Sequence, residues 1–276
     1  MHRRHALLYV TDLGYRARGR RYGDEDVHLS ARLREEFHIA LCHPSDVVAL
    51  MDDFDAVVVR NSGPVLHHRE AWESFRARAL ERGTKVFNQL SGRGDMAGKR
   101  YLVELTEAGE PVIPTVDRRE RLDRLPRAAE YVVKPELGAD SIGMETVPAE
   151  RLGEIALDLD PDLLVQPKVD FRYEVSFYFV DRDFRYALYA PDPARRWELE
   201  RYEPTTADLA FARRFVEWNA VDHGIQRVDA CRTVEGELLL VELEDLNPYL
   251  SLDRVDAATG DAFATAVIAS LRALLA

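Results

Sequence analysis

One segment of the chain reads Tyr131-Val-Val-Lys-Pro-Glu-Leu-Gly-Ala-Asp-Ser-Ile-Gly-Met144. It begins with a short apolar run that is typical of a strand and that ends at Lys134. In the loop that follows, Gly138 and Gly143 can adopt positive φ, so backbone N–H groups can approach an anion without a Cβ in the way. Lys134 adds a point charge suited to a phosphate. Taken alone, a glycine and serine turn after a strand is also typical of an ordinary hairpin.

Composition is that of an ordinary globular protein large enough for a substantial core. The chain has 276 residues, of which 46% are hydrophobic and 31% are charged. A net charge of −12 argues against a general binder of nucleic acid or of anionic membranes. No apolar run approaches the length that spans a bilayer. Cys42 and Cys231 lie far apart without zinc-type spacing, which predicts buried thiols and a cytoplasmic location.

The order of strand and helix patterns predicts three parts. Residues 1–92 alternate short strands with helices, which indicates a small parallel α/β domain. Residues 93–165 hold the strand that ends at Lys134 and the glycine loop, with a strand also predicted within 109–115. Residues 166–276 contain two hairpins and two amphipathic helices, which indicates an α+β unit. We therefore predict one α/β domain followed by two α+β subdomains.

Three further features recur at the edges of these strands. Lys99 stands at the start of a helix, where a surface lysine is the plainer interpretation. The strand that contains Gln166, Lys168 and Val169 runs into a linker, and such a crossing can offer backbone groups to a flat heterocycle. Glu174 follows on the next strand and can accept hydrogen bonds from ribose hydroxyls, although an exposed glutamate on a hairpin is an equally good interpretation.

Acidic residues mark the second hairpin. Glu242 and Glu244 are two residues apart on a strand and therefore share a face, and Asp229 on the partner strand can join them. Three converging carboxylates repel unless a cation lies among them, and oxygen ligands of this kind suit Mg²⁺. Asn247 offers a neutral oxygen nearby. A solvated acidic turn is the alternative, which the apolar run of residues 238–243 disfavours.

Together these features resemble the ATP-grasp superfamily. The segment with Lys134 and the glycine loop is similar to the phosphate loop of D-alanine–D-alanine ligases, and Arg227-Val-Asp229 before a glutamate-bearing strand is similar to their metal hairpin. Peptide-forming ligases of the glutathione synthetase and ribosomal-protein glutamate ligase kind share the same order of features. The resemblance covers about residues 85–255 and implies the ATP-grasp fold.

The resemblance also implies roles for individual residues. Lys99 and Lys134 would bind the α- and β-phosphates of ATP. The remaining nucleotide contacts would come from the glycine loop and from the strand-to-linker crossing: Ser141 and Gly143 at the β- and γ-phosphates, Gln166, Lys168 and Val169 at the adenine, and Glu174 at the ribose. The Mg²⁺ (or Mn²⁺) ligands would be Asp229, Glu242, Glu244 and Asn247. The family usually ends this hairpin in Glu-x-Asn, whereas this chain has Glu242-Leu-Glu244 with Asn247 further on.

The implied activity is that of an ADP-forming carboxylate–amine ligase that works through an acyl phosphate. Such an enzyme needs an arginine at the acyl-phosphate oxygens, and of the four available arginines (Arg172, Arg185, Arg195 and Arg196) we select Arg172 and Arg196. A kinase of the same fold and a non-catalytic nucleotide-binding regulator are the alternatives.

Substrate recognition is expected at the carboxyl ends of the N-terminal strands. Arg60 and Asn61 follow one strand, and Arg18 lies in an arginine-rich loop after another. Arg60 is the candidate for a substrate carboxylate because arginine pairs with carboxylates in a bidentate manner. The arginine-rich loop suits an anionic substrate or plain solvation equally. The expected partners are small carboxylate and amine substrates, and a homodimer is compatible with the resemblance.

Overall fold

The structure of the protein, a computed structural model, describes residues 3–17, 20–60, 67–138, 142–154 and 162–276. Its first unit is a four-stranded parallel sheet with helices packed on it, in the strand order β4-β1-β5-β6. The strands of this unit are β1 (Ala6–Val10), β2 (Arg16–Ala17), β3 (Arg20–Arg21), β4 (His38–Cys42), β5 (Ala56–Val59) and β6 (Val86–Phe87). Its helices are α1 (Tyr22–Leu33), α2 (Val47–Leu50) and α3 (Arg69–Arg82).

The apolar runs of β1 and β5 are buried on both faces, as expected of strands in a sheet that is covered by helices on both sides. β2 and β3 form a separate short antiparallel pair in the arginine-rich loop.

A three-stranded antiparallel sheet follows the short helix α4 (Tyr101–Glu107). Its strands are β7 (Glu130–Pro135), β8 (Glu145–Pro148) and β9 (Leu163–Pro167), in the order β8-β7-β9. The glycine loop connects β7 to β8, so Lys134 lies at the end of the central strand. β9 runs across the boundary predicted between residues 165 and 166.

The largest sheet has five antiparallel strands in the order β12-β11-β10-β13-β14. They are β10 (Phe171–Val180), β11 (Asp183–Ala190), β12 (Glu200–Arg201), β13 (Ile225–Thr233) and β14 (Leu238–Glu244). Two helices accompany them, α5 (Thr206–Asn219) and α6 (Ala257–Leu275). The N-terminus of α5 is fixed by a capping box in which the Thr205 and Asp208 side chains bond to each other's backbone N–H.

Strand β10 joins the parts of the molecule because its two faces pack in different cores. Phe177 and Phe179 point into a cluster with Phe215 of α5 and Leu102 of α4. Their neighbours along the strand, such as Tyr178, point to the opposite face, where α6 and the N-terminal sheet pack. The predicted class, an α/β unit followed by α+β units, is confirmed.

Helix α6 has an unusually apolar composition for its length. It is long and apolar enough, by length and composition alone, to cross a membrane. Seven of its residues are nevertheless buried in the protein, and Phe263, Val267 and Leu271 pack in the same cluster as Leu7 of β1. In this fold α6 is therefore a core helix.

Between residues 109 and 115 the predicted strand is absent from the structure. Val112 and Val116 form only isolated bridges, to Leu240 and Val165 respectively. Pro111 and Pro114 lack the N–H group that a ladder needs, so the pairing cannot extend.

Candidate nucleotide and metal site

A cleft opens between the three-stranded and the five-stranded sheets. Apolar side chains from both sheets form its walls, among them Val132, Phe171 and Val241. Five of the charged side chains that line it interact with one another and form its charged end: Lys99, Lys134, Glu174, Arg196 and Glu242. A slot with apolar walls and a charged end suits a molecule that is flat and apolar at one end and anionic at the other.

Two buried lysines converge on one glutamate at the charged end. The Lys99 Nζ is 3.2 Å from Glu242 Oε2, and the Lys134 Nζ is 3.8 Å from Glu242 Oε1. Their side chains are only 4% and 9% exposed. Lys99 also forms an ion pair with Asp95. The chain has only four lysines among its 37 basic residues, so the burial of two of them at one point indicates a specific need for compact charges.

The pKa values of these groups follow from burial and from mutual attraction. Burial favours protonation of Glu242, but Lys99 and Lys134 outweigh it and lower the pKa of Glu242 to about 2. Burial opposes the charge on Lys99, yet the Asp95 and Glu242 carboxylates raise its pKa. For Lys134 burial prevails and lowers the pKa. Lys134 thus has the less compensated of the two charges and would gain most from an added anion.

Carboxyl groups also converge around Glu242. One carboxylate oxygen from each of Asp95, Glu242 and Glu244 lies within 4.8 Å of the others. Glu242 and Glu244 share a face of β14, as predicted, and Asp229 on β13 pairs opposite Glu242. The register shifts at this point because Val241 is an extra residue, and such a bulge changes the direction of nearby side chains.

The protein neutralises part of this cluster with its own arginine. The Arg227 guanidinium donates to Asp229 at 2.7 Å and to Glu244 at 2.6 Å. Ser176 donates to the second Asp229 oxygen at 2.6 Å. Burial still raises the pKa of Glu244 well above its ordinary range despite the neighbouring Arg227. The site therefore favours additional positive charge, and its all-oxygen donor set fits Mg²⁺.

Asp95 is a member of this cluster that was not among the residues predicted from the sequence. It lies in a 3₁₀ turn, Asp95–Ala97, on the loop before Lys99. The sequence signal was an aspartate four residues before a candidate phosphate lysine, in the segment Gly94-Asp-Met-Ala-Gly-Lys99.

The loop that carries Asp95 is held by a buried aspartate that is distant in the sequence. Asp245, which directly follows β14, accepts hydrogen bonds from the backbone N–H of Gly94 at 3.1 Å and of Met96 at 2.7 Å. Asn219 adds a bond from Arg93 N at 2.5 Å. A Cβ on Gly94 would lie 2.5 Å from the Leu243 carbonyl oxygen, so only glycine allows this close approach.

The charged end of the cleft continues into a second cavity. Both cavities are lined by Glu174, Arg196, Val241 and Glu242. At this junction the Arg196 Nε donates to Glu174 Oε2 at 2.7 Å. The second cavity is bounded by aromatic side chains from the N-terminal unit, from the five-stranded sheet and from loops next to that sheet: Tyr15, Tyr22, Tyr178, Trp197 and Tyr249. Asn247 also lines it, close in sequence to the acidic cluster.

The structure brings together most of the predicted nucleotide residues that it describes. Gln166, Lys168 and Val169 line the first cavity. The Gln166 side chain donates to Thr115 Oγ1 at 2.8 Å, and the Lys168 ammonium pairs with Glu130, so these two side chains already have partners. Gly143 adopts φ of +73° in the glycine loop. Ser141 lies outside the described residues.

Two predicted arginines line neither cavity, and two predicted substrate residues are not described. Arg172 is exposed and donates to the Val234 carbonyl, and the described lining of both cavities includes Arg196 but not Arg172. Arg60 is fully buried and pairs with Glu25 at 3.3 Å and Asp26 at 3.5 Å. Its guanidinium thus has internal carboxylate partners and no exposed face for a substrate. Asn61 and Arg18 lie outside the described residues.

Comparison with known proteins shows similarity at the level of structure. No protein-family model and no curated protein matches the sequence. Among solved structures, D-cycloserine synthetase DcsG has 22% identity and a TM-score of 0.75, with 96% of this chain and 99% of that chain covered. D-alanine–D-alanine ligase from Bacillus anthracis, complexed with ATP, has 15% identity and a TM-score of 0.68, with 98% of each chain covered. The ATP-grasp ligase PsnB, complexed with a minimal precursor, has 16% identity and a TM-score of 0.66, with 97% and 99% covered. At these identities the similarity shows the fold.

Proposed function

The chain has the ATP-grasp fold, and from that fold and the geometry of its cleft we propose that it is an ATP- and Mg²⁺-dependent carboxylate–amine ligase. The observation that carries this proposal is the junction of the two cavities. There, the acidic cluster, which the buried lysines contact, lines the entrance to the second cavity. We call this cavity the aromatic chamber because of the side chains that bound it. A phosphoryl donor in the cleft would therefore have its reactive end directed at a second molecule in the chamber.

In this proposal the cleft holds ATP in one orientation. The apolar walls and the backbone around Gln166, Lys168 and Val169 receive the adenine, and Glu174 lies on the path to the ribose. Lys99 and Lys134 then neutralise the phosphates. Lys134 is suited to this because burial lowers its pKa, and an anion beside it restores the preference for the charged form.

The acidic cluster is the proposed Mg²⁺ site, with Asp229, Glu242, Glu244 and the newly identified Asp95 as the carboxyl ligands and Asn247 as a further oxygen. When bound, Mg²⁺ supplies positive charge to the phosphate oxygens. Arg227 orients Asp229 and Glu244 by its hydrogen bonds to both. This interaction is within the protein and keeps two of the carboxylates aligned on adjacent strands.

The proposed reaction has two steps. A substrate carboxylate oxygen attacks the γ-phosphorus, ADP leaves, and an acyl phosphate forms. An amine nitrogen then attacks the carbonyl carbon, phosphate leaves, and the nitrogen gives up a proton to complete the amide bond. Arg196 stands at the junction and can stabilise the acyl-phosphate oxygens once it exchanges Glu174 for substrate. Arg172 is a weaker candidate because its side chain is exposed, donates to the Val234 carbonyl and lines neither cavity.

The substrates are proposed to be a small amino acid, peptide or metabolite that bears a carboxylate, together with an amine. The solved structures with this fold include a D-cycloserine synthetase, a D-alanine–D-alanine ligase and ligases bound to precursor peptides, so the fold accepts both small molecules and peptides in those proteins.

A direct test is an ADP-release screen over paired carboxylates and amines, run with and without hydroxylamine. Hydroxylamine traps an acyl phosphate as a hydroxamate, which mass spectrometry identifies. A ligase gives hydroxamate, whereas a kinase gives a stable phosphorylated product, and a non-catalytic regulator binds Mg-ATP without ADP release.

Lys134→Ala tests the ATP site, and Lys85→Ala is its control because Lys85 is exposed and lines neither cavity. Loss of one charge-assisted phosphate contact is expected to weaken Mg-ATP binding by about tenfold or more. Wild-type binding and turnover in Lys134→Ala would contradict the assignment of the cleft.

A further inference from the structure

A second group of metal-binding side chains lies in the N-terminal unit, outside the cleft. Asp12 lies two residues after β1, His43 is the residue directly after β4, and His68 is the residue directly before α3. β1 and β4 are adjacent and parallel, with Val10 paired to Cys42, so the residues after them emerge at the same edge of the sheet. The fold thus brings together three residues that are far apart in the sequence.

The atoms of these side chains converge without bonding one another. His43 Nε2 and His68 Nε2 lie 3.7 Å and 3.8 Å from the same oxygen, Asp12 Oδ2. One ligand atom of each residue lies within 4.8 Å of the others. The two nitrogen–oxygen distances are too long for hydrogen bonds. Zinc binds nitrogen and oxygen at about 2.1 Å, which puts neighbouring ligands of a tetrahedral site about 3.4 Å apart. The two observed nitrogen–oxygen distances exceed this spacing by only about 0.4 Å.

We propose that Asp12, His43 and His68 form a binding site for a divalent transition-metal ion, with Zn²⁺ as the principal candidate. Two imidazole nitrogens and one carboxylate oxygen are a donor set preferred by zinc and its neighbours in the first transition row. Magnesium prefers oxygen ligands alone, so this site differs in chemistry from the acidic cluster of the cleft. The three side chains fill three of the four positions of a tetrahedral ion and supply one negative charge. The fourth position can therefore take water or an anion.

The surroundings of Asp12 already hold its carboxylate in place. Gly14 N donates to Asp12 Oδ1 at 2.8 Å, so the Oδ2 atom faces the two histidines. The side chains of Asp12, His43 and His68 are 19%, 41% and 18% exposed, which gives an ion a path from solvent.

One existing hydrogen bond must change when the ion binds. His43 Nδ1 accepts a bond from Ser45 N at 3.2 Å, and coordination through Nε2 requires a proton on Nδ1. That bond would therefore be lost. Ser45 is exposed, so water can take over its N–H at little cost, whereas a metal–nitrogen bond contributes far more.

The site would also stabilise one wall of the aromatic chamber. The Tyr15 backbone N donates to the Asp12 carbonyl at 3.2 Å, and the Tyr15 ring lies 6.2 Å from the ring of His67, the neighbour of His68. Tyr15 lines the chamber. An ion that joins Asp12 to His68 therefore fixes both contacts of Tyr15 relative to the N-terminal sheet.

The test uses the full chain, without an affinity tag and stripped of metal by a chelator. Zn²⁺ is titrated by calorimetry, and Co²⁺ by visible absorption, which reports low-symmetry nitrogen and oxygen ligation. We expect one ion per chain to bind at this site with micromolar or tighter affinity, and any ion bound at the acidic cluster to be lost in Glu242→Gln. Asp12→Asn, His43→Gln and His68→Gln are each expected to weaken binding by about tenfold or more.

Two controls separate this site from other metal-binding groups. His28→Gln and His38→Gln alter exposed histidines outside the cluster and are expected to leave the affinity unchanged. Glu242→Gln alters the acidic cluster and is also expected to leave this site unchanged. If Asp12→Asn fails to fold, His43→Gln serves alone because His43 is the most exposed of the three. No stoichiometric binding in wild type, or binding that only Glu242→Gln weakens, would overturn the proposal. Neither result depends on whether the chain is a ligase.

Discussion

At the scale of single residues, the acidic cluster shows what a strand pattern can and cannot predict. The two-residue spacing of Glu242 and Glu244 placed them correctly on one face of β14. The cations beside them were not predictable in the same way. Arg227 bridges to Glu244 through strand pairing, and Lys99 reaches Glu242 from a different segment. Such contacts depend on the tertiary arrangement, which spacing along one strand does not contain.

Asp95 was identified as a member of the acidic cluster from its position in the structure, so a substitution there tests whether the cluster binds a cation. Asp95→Asn keeps the shape of the side chain and an oxygen for the hydrogen bond from Tyr101, but it removes one of the proposed carboxyl ligands of Mg²⁺. We expect the dependence of ATP binding on Mg²⁺ to weaken by about tenfold, because a cation site loses affinity when a charged ligand is removed. Calorimetric titration of the protein with ATP, once in the presence of Mg²⁺ and once in the presence of EDTA, measures this dependence.

Asp123→Asn is the control for that experiment because Asp123 is exposed on the 3₁₀ helix Arg119–Arg124. If Asp95→Asn and Asp123→Asn show the same Mg²⁺ dependence as wild type, Asp95 serves only as a partner of Lys99.

The position of Arg60 in the chain predicts contact with a substrate, whereas in the structure its side chain is buried inside the protein. An arginine after a parallel strand commonly faces a ligand, but here the guanidinium turns inward to Glu25 and Asp26. Burying a charge is unfavourable unless it is paired, and both carboxylates lie on α1, so helix packing decided the direction of the side chain.

At the scale of elements, apolar periodicity predicted most strands and helices because these elements bury one or both faces. It failed where backbone chemistry intervened. Residues 109–115 have a strand-like apolar pattern, yet Pro111 and Pro114 limit them to isolated bridges. The segment still serves the site, because Ile113 lines the cleft and its backbone N donates to Leu240 O at 3.0 Å.

The loop before α4 is the element on which the site most depends. It carries Asp95 and Lys99, and it packs so closely on β14 that a Cβ at Gly94 would overlap the Leu243 carbonyl. We expect Gly94→Ala to lower the free energy of unfolding by roughly 1–3 kcal/mol, as other overpacked sites do. ATP affinity is expected to fall with it because both charged side chains shift. Urea unfolding and ATP titration measure the two effects.

Gly260→Ala is the matched control for this change. Gly260 lies in α6, and nothing lies within 4 Å of where its Cβ would be. Alanine is a better helix former than glycine, so the control is expected to be neutral or stabilising by up to about 1 kcal/mol. An unchanged stability and ATP affinity in Gly94→Ala would mean that the loop adapts without moving the site.

At the scale of the whole molecule, Glu25 connects the N-terminal unit to the segment that follows the acidic hairpin. Its carboxylate accepts hydrogen bonds from Leu250 N at 2.8 Å and from Leu252 N at 3.3 Å, and it faces Arg60. Tyr249, next to this segment, packs on Tyr22 of α1 with ring centroids 4.6 Å apart. Sequence patterns within either unit cannot reveal such a connection, because its two sides are more than two hundred residues apart.

This connection gives the protein a predicted dependence of stability on pH. Burial raises the pKa of Glu25 from 4.5 to about 7, against the opposing effect of Arg60. Asp26 also faces it, and the charged groups of the adjacent groove are Arg21, Asp24, His28, Asp253 and Arg254. Between pH 4.5 and about 7 the folded state holds a proton that the unfolded state has released. The contribution of Glu25 to the free energy of unfolding therefore decreases as pH rises through this window, and is constant above it.

Glu25→Gln removes the titration and keeps one oxygen as an acceptor, so its stability curve should lack this decrease. Urea unfolding of both proteins from pH 4.5 to 8 gives the difference between the two curves, which cancels the titration of all other groups. We expect that difference to change by up to about 3 kcal/mol across the window, the equivalent of the pKa shift. The part of the difference that does not change with pH reflects the hydrogen bond that glutamine cannot accept. Curves that stay parallel over the whole range would mean that Glu25 is already ionised in the folded protein because Arg60 neutralises its charge.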